Sequence, residues 1–130
     1  MVRYLLDTCS LSDSAKRFAP DPAPPPIAAL KAWIASVPAD ELGISVLTLA
    51  ELRCGIELLP AGGKKRSDLM TWLTSALPLQ FVGRIFPVDE RVAAAWGTLA
   101  AAGHKAGRQI PVADGYLLAT AQVHGLTLVT

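Results

Sequence analysis

The stretch Val2–Ser10, VRYLLDTCS, sets the expected architecture of this 130-residue chain. Its short apolar run predicts a buried β-strand over Arg3–Asp7 that ends on the carboxylate of Asp7. Small residues that favour the start of a helix follow directly. Open α/β sheets bind their ligands at the carboxyl ends of their strands. Asp7 is therefore the first candidate functional residue, although an aspartate here can also simply cap the next helix.

The remainder of the chain alternates predicted strands with predicted helices. The further strands are Leu42–Ser45, Arg84–Val88 and Leu126–Val129. The helices are one running towards Phe18, then Ile27–Val37, Val46–Leu59, Lys64–Leu77, a helix from Asp89 to about Ala106, and Pro111–His124. We expect a stiff loop over Pro20–Pro26 and a helix end at Pro78. This alternation predicts an α/β fold: a three-layer α/β/α sandwich with a short parallel central sheet, formed by residues 1–130 as one domain.

Composition narrows the classes of function. The chain is 52% hydrophobic, and its 12 Lys and Arg against 11 Asp and Glu give a net charge of +1. That balance excludes a protein that holds duplex DNA by charge alone, so any nucleic-acid contact is local. No apolar run approaches the roughly 18 residues of a membrane span, and the N-terminus lacks a secretory signal. Two cysteines make no disulfide framework, which indicates reduced thiols in a cytoplasmic protein.

Two further carboxylates stand where helices need apolar residues. Glu51 shares a predicted helix face with Leu47, Cys54 and Leu58, which would interrupt a buried stripe, while Arg53 falls on the exposed side. A buried glutamate is costly unless it is paired or bound to a metal.

Asp114 shares its face with Leu117, Leu118 and Ala121. It also lies in the first turn of its helix, where the helix dipole alone would favour an aspartate.

The three carboxylates map to one edge of the predicted sheet. Asp7 ends a strand, and Glu51 and Asp114 lie in helices that begin beside strand ends. Like charges in one cleft repel unless a cation neutralises them. Hard carboxylate oxygens suit Mg²⁺ or Mn²⁺, and such an ion can activate water and stabilise a departing phosphodiester oxygen. Asp7, Glu51 and Asp114 are therefore the predicted metal ligands and catalytic residues.

Three segments together resemble one family. YLLDT at Tyr4–Thr8, ISVLTLAELRCGI at Ile44–Ile56 and PVADGYLLATAQVHGLTLVT at Pro111–Thr130 are similar to PIN-domain ribonucleases. They look most like the VapC/FitB-type toxins of toxin–antitoxin pairs. The resemblance implies a Mg²⁺- or Mn²⁺-dependent endoribonuclease that cuts RNA, forms a homodimer and is inhibited by a cognate antitoxin. The family's acidic positions fall on Asp7, Glu51 and Asp114, and its small polar positions on Thr8 and Thr48.

The chain departs from the family pattern at two places, and one departure supports an alternative function. Cys9 stands where the family often has asparagine. Family members also usually continue past the position of Thr130 to a further acidic residue, which predicts a truncated C-terminal end. The alternative is therefore a catalytically impaired PIN domain that binds antitoxin or RNA without cleavage.

Two interpretations outside this family are weaker. A phosphoacceptor receiver domain needs a lysine at the end of a late strand, and no lysine of this chain occupies such a position. A nucleotide-cofactor enzyme needs a glycine-rich fingerprint, and neither G-x-G-x-x-G nor a P-loop occurs.

Overall fold

The computed structural model describes residues 1–15 and 25–130. Within them, one parallel sheet consists of β1 (Tyr4–Leu6), β2 (Leu42–Ser45), β3 (Ile85–Phe86) and β4 (Thr127–Val129). The order across the sheet is β3-β2-β1-β4. The central strand β1 pairs with both β2 and β4, with Leu5 opposite Gly43 on one side and opposite Leu128 on the other. The prediction of a short parallel sheet is confirmed.

Helices connect and cover these strands. They are α1 (Thr8–Ala15), α2 (Pro25–Ser36), α3 (Val46–Glu57), α4 (Lys64–Thr71), α5 (Leu77–Gln80), α6 (Glu90–Lys105) and α7 (Val112–His124). The predicted extension of the first helix towards Phe18 lies outside the described residues. The same holds for residues 20–24 of the predicted loop. Pro25 and Pro26, which the sequence pattern assigns to that loop, instead begin α2, because proline is well tolerated in the first turn of a helix.

Adjacent residues of β1 bury their side chains on opposite faces of the sheet. Leu6 belongs to a large core with Ile44, Ile56 and Phe81. Leu5 belongs to a smaller core with Leu117 and Ala121 of α7. Because strand side chains alternate between faces, one strand serves both cores. This arrangement is the predicted three-layer α/β/α sandwich.

The helix that starts at Lys64 does not end at Pro78, which corrects the prediction. The segment Trp72–Ala76 is a π-helical turn, in which the amide of Leu77 bonds to the carbonyl of Trp72. Proline lacks an amide proton and clashes with the carbonyl four residues before it in an α-helix. The wider π turn accommodates that clash, so helical structure continues through α5 to Gln80.

Capping residues fix where the helices of the site begin and end. The Ser45 hydroxyl accepts a hydrogen bond from the Leu47 amide at 3.1 Å, at the start of α3. Gly125 ends α7 in the left-handed region, with φ of 66°, a conformation that glycine adopts without a side-chain penalty. In the part of the chain that the structure describes, no helix is both long and apolar enough to cross a membrane.

We expect Asp89→Ala to destabilise the protein by about 1 kcal/mol, because it removes the N-cap of α6. The Asp89 carboxylate accepts a hydrogen bond from the Val92 amide at 3.0 Å. Urea denaturation measures the effect. Glu90→Ala is the matched control, since Glu90 lies in the same first turn without capping it. Equal losses in the two variants would contradict the capping role.

Candidate active site

Hydrogen bonds hold Asp7 at the C-terminal end of β1. Its amide donates a hydrogen bond to the Val129 carbonyl of β4 at 3.1 Å. Its carboxylate Oδ1 accepts a hydrogen bond from the Ser10 amide at 2.6 Å, which caps α1. The capping role considered from the sequence is therefore real. Both the backbone and the carboxylate of this half-buried residue are therefore hydrogen-bonded at the edge of the sheet.

Asp114 lies beside Asp7 across a shared cavity. The cavity measures about 290 Å³ and is lined by Asp7, Asp114, Leu117, Leu118, Leu128 and Thr130. Asp114 reaches it from the first turn of α7, which carries no other acidic residue. Three leucines form an apolar part of the wall, and Thr130 completes the lining. The structure thus brings together two of the three predicted site residues, at the edge of the sheet where the sequence pattern predicts them.

Glu51 does not line this cavity, and its connection to the cavity runs through Thr8. Its Oε1 accepts a hydrogen bond from the Thr8 hydroxyl at 2.7 Å. That hydroxyl also lies 3.5 Å from the Thr48 hydroxyl, and Thr48 is fully buried. Thr8 directly follows Asp7, so a single hydrogen bond connects Glu51 to the residue beside the cavity.

The predicted burial of the Glu51 face of α3 is wrong. Glu51 and Cys54 are exposed, and Leu58 is 81% exposed. The helix instead buries Thr48 and Ile56. Apolar residues occur all around this helix, so their spacing does not identify the packed side. Arg53 is exposed, as the sequence pattern predicts. The need to neutralise a buried charge therefore does not explain Glu51, whose carboxylate instead accepts a hydrogen bond from Thr8.

No basic side chain neutralises these carboxylates within the described residues. The ion pairs found there join the Met1 amine to Asp40 and Arg3 to Glu41. In the same ranges, no three His, Cys, Asp or Glu side chains are grouped closely enough to hold a metal ion together. Asp7 and Asp114 are thus the pair that faces one cavity, and Glu51 stands one hydrogen bond away. Two carboxylates with hard oxygen donors fit a divalent cation such as Mg²⁺, which keeps several waters of its own.

The Thr8–Glu51 hydrogen bond is the feature of the site that the residues alone do not reveal. The two residues are 43 positions apart, and nothing in either helix pattern connects them. Thr8 matches a small polar position of the PIN-domain pattern. The signal in the sequence is its position directly after Asp7, at the end of a strand.

A second cavity, of about 510 Å³, lies at the start of α4. Its lining residues are Gly62, Gly63, Arg66, Ser67, Met70 and Thr71. None of these side chains is acidic, so the cavity is not suited to a divalent cation. The two acidic residues therefore identify the smaller cavity as the candidate active site.

Comparison with known proteins agrees with this geometry. Residues 4–130 match the PIN domain family. The chain is 37% identical to toxin FitB of Neisseria gonorrhoeae over 126 residues, which is 97% of this chain and 85% of FitB. It is 35% identical to VapC ribonuclease Y4jK of Sinorhizobium fredii over 105 residues, covering 81% and 74% of the two chains.

Solved structures show the same fold. The structure of FitAB bound to an IR36 DNA fragment superposes with a TM-score of 0.84 and 35% identity, over 98% of this chain and 83% of the other. The family match, the identity to two curated relatives and this superposition span nearly the same residues. The chain therefore belongs to the PIN-domain family, in its VapC/FitB group of toxin–antitoxin ribonucleases.

Proposed function

We propose that this protein is a Mg²⁺- or Mn²⁺-dependent endoribonuclease whose site consists of Asp7, Glu51 and Asp114. The observation that carries the proposal is the cavity shared by Asp7 and Asp114 at the carboxyl edge of the sheet. Neither carboxylate has a basic partner within 4.0 Å among the described residues. Two unpaired carboxylates facing one cavity repel each other, and a divalent cation between them relieves that repulsion.

Some residues of the site would bind the cation, and others would orient the groups around it. A bound divalent cation would supply charge neutralisation and Lewis acidity at the scissile phosphate. Asp7 and Asp114 would bind it from β1 and α7. Glu51, oriented by Thr8, would complete the acidic set from α3. The apolar wall formed by Leu117, Leu118 and Leu128 lowers access of bulk water to one side of the cavity.

Cleavage of single-stranded RNA by the purified chain tests the proposal. We expect internal cleavage in Mg²⁺ or Mn²⁺, and none when a chelator is added. A single-stranded DNA of the same sequence is the matched control for substrate class. Metal binding without any RNA cleavage would overturn the endoribonuclease proposal and favour a domain that only binds. Cleavage that persists in excess chelator would overturn the role of the metal.

We expect Thr8→Val to lower the rate of RNA cleavage about 10-fold to 100-fold, the usual cost of losing a hydrogen bond that orients a metal-binding group. Valine keeps the shape of threonine but cannot donate a hydrogen bond to Glu51 Oε1. Steady-state cleavage kinetics measure the effect. Thr8→Ser retains the hydroxyl and should restore most of the rate. Thr98→Val removes a hydroxyl that bonds only within α6, and should leave the rate unchanged.

We also propose that this chain binds an antitoxin protein. We further propose that the chain forms a homodimer. The proposal is supported by the relative solved as FitAB bound to DNA, and by the large apolar side chains exposed at Leu58, Leu79 and Val82. Light scattering of the purified chain measures the oligomeric state, and co-expression with an adjacent small gene tests for inhibition. A monomer at micromolar concentration would contradict the dimer.

The two cysteines fit activity in a reducing cytoplasm, where RNA is available. Cys9 and Cys54 are both free and exposed, and exposed thiols persist in reducing compartments. The cytoplasm is therefore the location that we propose.

A further inference from the structure

The loop between α6 and α7 lies at the same end of the molecule as the carboxylate cavity. A Cβ built on Gly103 of α6 would lie 3.5 Å from the side chain of Ile110, which closely precedes the start of α7. One built on Gly115 of α7 would lie against the ring of Trp96, in the middle of α6. The contacts move towards the N-terminus of α6 as they move towards the C-terminus of α7. The two helices therefore form an antiparallel hairpin. The C-terminal end of α6 therefore adjoins the first turn of α7, which carries Asp114.

Two hydrogen bonds fix the backbone of this loop. The Arg108 amide donates to the Gly103 carbonyl at 2.8 Å, and the Gly107 amide donates to the His104 carbonyl at 3.1 Å. Gly107 has φ of 71°. These features form a Schellman motif, which closes the C-terminus of a helix and holds the residues after it. Arg108 consequently leaves the helix from a defined backbone position.

The motif carries a cluster of basic side chains, which we call the basic rim: His104, Lys105 and Arg108. All three are exposed, and none has a carboxylate partner within 4.0 Å in residues 1–15 and 25–130. His104 and Lys105 lie in the last turn of α6, where positive charge is favourable to the helix dipole. Helix stability gives no reason for Arg108, which lies beyond the last residue of α6.

A second basic cluster offers a comparison within the same chain. Lys64, Lys65 and Arg66 occupy the first turn of α4, where positive charge opposes the helix dipole. α3 starts at the carboxyl end of β2 and has 12 residues, so its far end lies about 18 Å from the site edge of the sheet. Lys64, Lys65 and Arg66, which we call the α4 cluster, follow the C-terminal end of α3 in the chain. The basic rim instead adjoins the turn that carries Asp114.

We propose that Lys105 and Arg108 bind backbone phosphates of single-stranded RNA on one side of the Asp7–Asp114 cavity. The inference rests on the proposed function, since it takes that cavity as the place where the RNA is cut. A polyanion approaching two carboxylates is repelled, and exposed cations beside them offset that repulsion locally. The net charge of +1 supplies no general attraction. The basic rim, whose backbone is fixed by the Schellman motif, provides this attraction beside the cavity, where the RNA strand must pass.

The test compares two double variants that remove the same charge at different places. Lys105→Gln with Arg108→Gln alters the basic rim, and Lys64→Gln with Lys65→Gln alters the α4 cluster. Fluorescence anisotropy of labelled single-stranded RNA, in chelator and between about 50 and about 200 mM salt, measures binding without cleavage. We expect the rim variant to bind about tenfold more weakly and to lose about 1.4 from its salt slope, at about 0.7 per phosphate contact. The α4 variant should match the wild type.

The outcomes separate this inference from the proposed function. Equal binding and slope in the rim variant and the wild type would overturn the role of the rim, as would an equal loss in both double variants. Failure of the wild type to cleave RNA in Mg²⁺ would overturn the endoribonuclease proposal, while the anisotropy result would still be read independently. In cleavage assays the rim variant should show a raised KM with little change in kcat. Circular dichroism melting confirms that both double variants are folded.

Discussion

Asp7→Asn and Asp114→Asn are each expected to lower metal-dependent RNA cleavage by more than about 100-fold. Mutating residues that merely orient metal ligands typically costs about 10-fold to 100-fold, so losing a ligand should cost more. Asparagine keeps the shape of each side chain but removes the negative charge that would attract the cation. In the Asp7→Asn variant, the side-chain amide oxygen could still accept the hydrogen bond from the Ser10 amide, so α1 keeps its cap. The loss should therefore appear in activity and leave stability nearly unchanged.

Asp89→Asn is the matched control for the Asp7 variant. Asp89 also accepts a hydrogen bond from the amide three residues later, at 3.0 Å, but it stands at the start of α6 and does not line the cavity. Calorimetric titration with Mn²⁺ provides a readout that does not depend on cleavage, and both site variants should bind the ion more weakly. Unchanged Mn²⁺ affinity and unchanged cleavage in Asp114→Asn would remove Asp114 from the site.

The architecture was predictable from the sequence because its strands are short, apolar and separated by clear helix signals. The predicted strand Arg3–Asp7 ends on a carboxylate, and the structure places Asp7 directly after β1. Capping residues were equally informative: Ser45 and Asp89 both accept the hydrogen bonds expected of them. These signals are local, since each depends on residues within one turn of the chain, and tertiary packing does not change them.

The orientation of α3 was not predictable because its apolar residues surround the helix. The spacing of Leu47, Cys54 and Leu58 predicts a buried stripe that Glu51 interrupts, but Cys54 and Leu58 are exposed. The side that packs is decided by neighbours distant in sequence, such as Leu73 and Phe81 in the same core as Ile56. The helix end predicted at Pro78 is wrong for a different reason, since a π turn accommodates the proline.

The candidate site was predictable in part, as the edge of the sheet where carboxylates meet. That reasoning needs only strand direction, and the cavity shared by Asp7 and Asp114 agrees with it. The hydrogen bond from Thr8 to Glu51 could not be inferred in this way. It depends on the rotation of α3 against α1, which packing determines. Topology thus predicts where the candidate site lies, whereas tertiary packing decides how the carboxylate of Glu51 is held.

We expect Gly115→Ala to destabilise the protein by at least about 2 kcal/mol, the range typical of overpacking a filled contact. A Cβ at this position would lie 1.8 Å from the Trp96 ring, a separation that no packed structure tolerates. Either the indole leaves its place against Tyr116, whose ring centroid is 5.7 Å away, or α7 shifts away from α6. Because Asp114 precedes Gly115, a shift of α7 also moves a proposed metal ligand, and cleavage should fall together with the free energy of unfolding.

Gly97→Ala provides the control for glycine replacement inside a helix of the same hairpin. A Cβ there meets nothing within 4 Å, so this variant should be more stable than the wild type by about 0.5–1 kcal/mol from helix propensity alone.

Trp96→Ala removes the ring that the methyl group of Gly115→Ala would strike. In a double-mutant cycle, the two losses should therefore be markedly less than additive. Urea denaturation measures the free energy of unfolding of the four proteins of this cycle. Additive losses would mean that Gly115 is required for a reason other than its contact with Trp96.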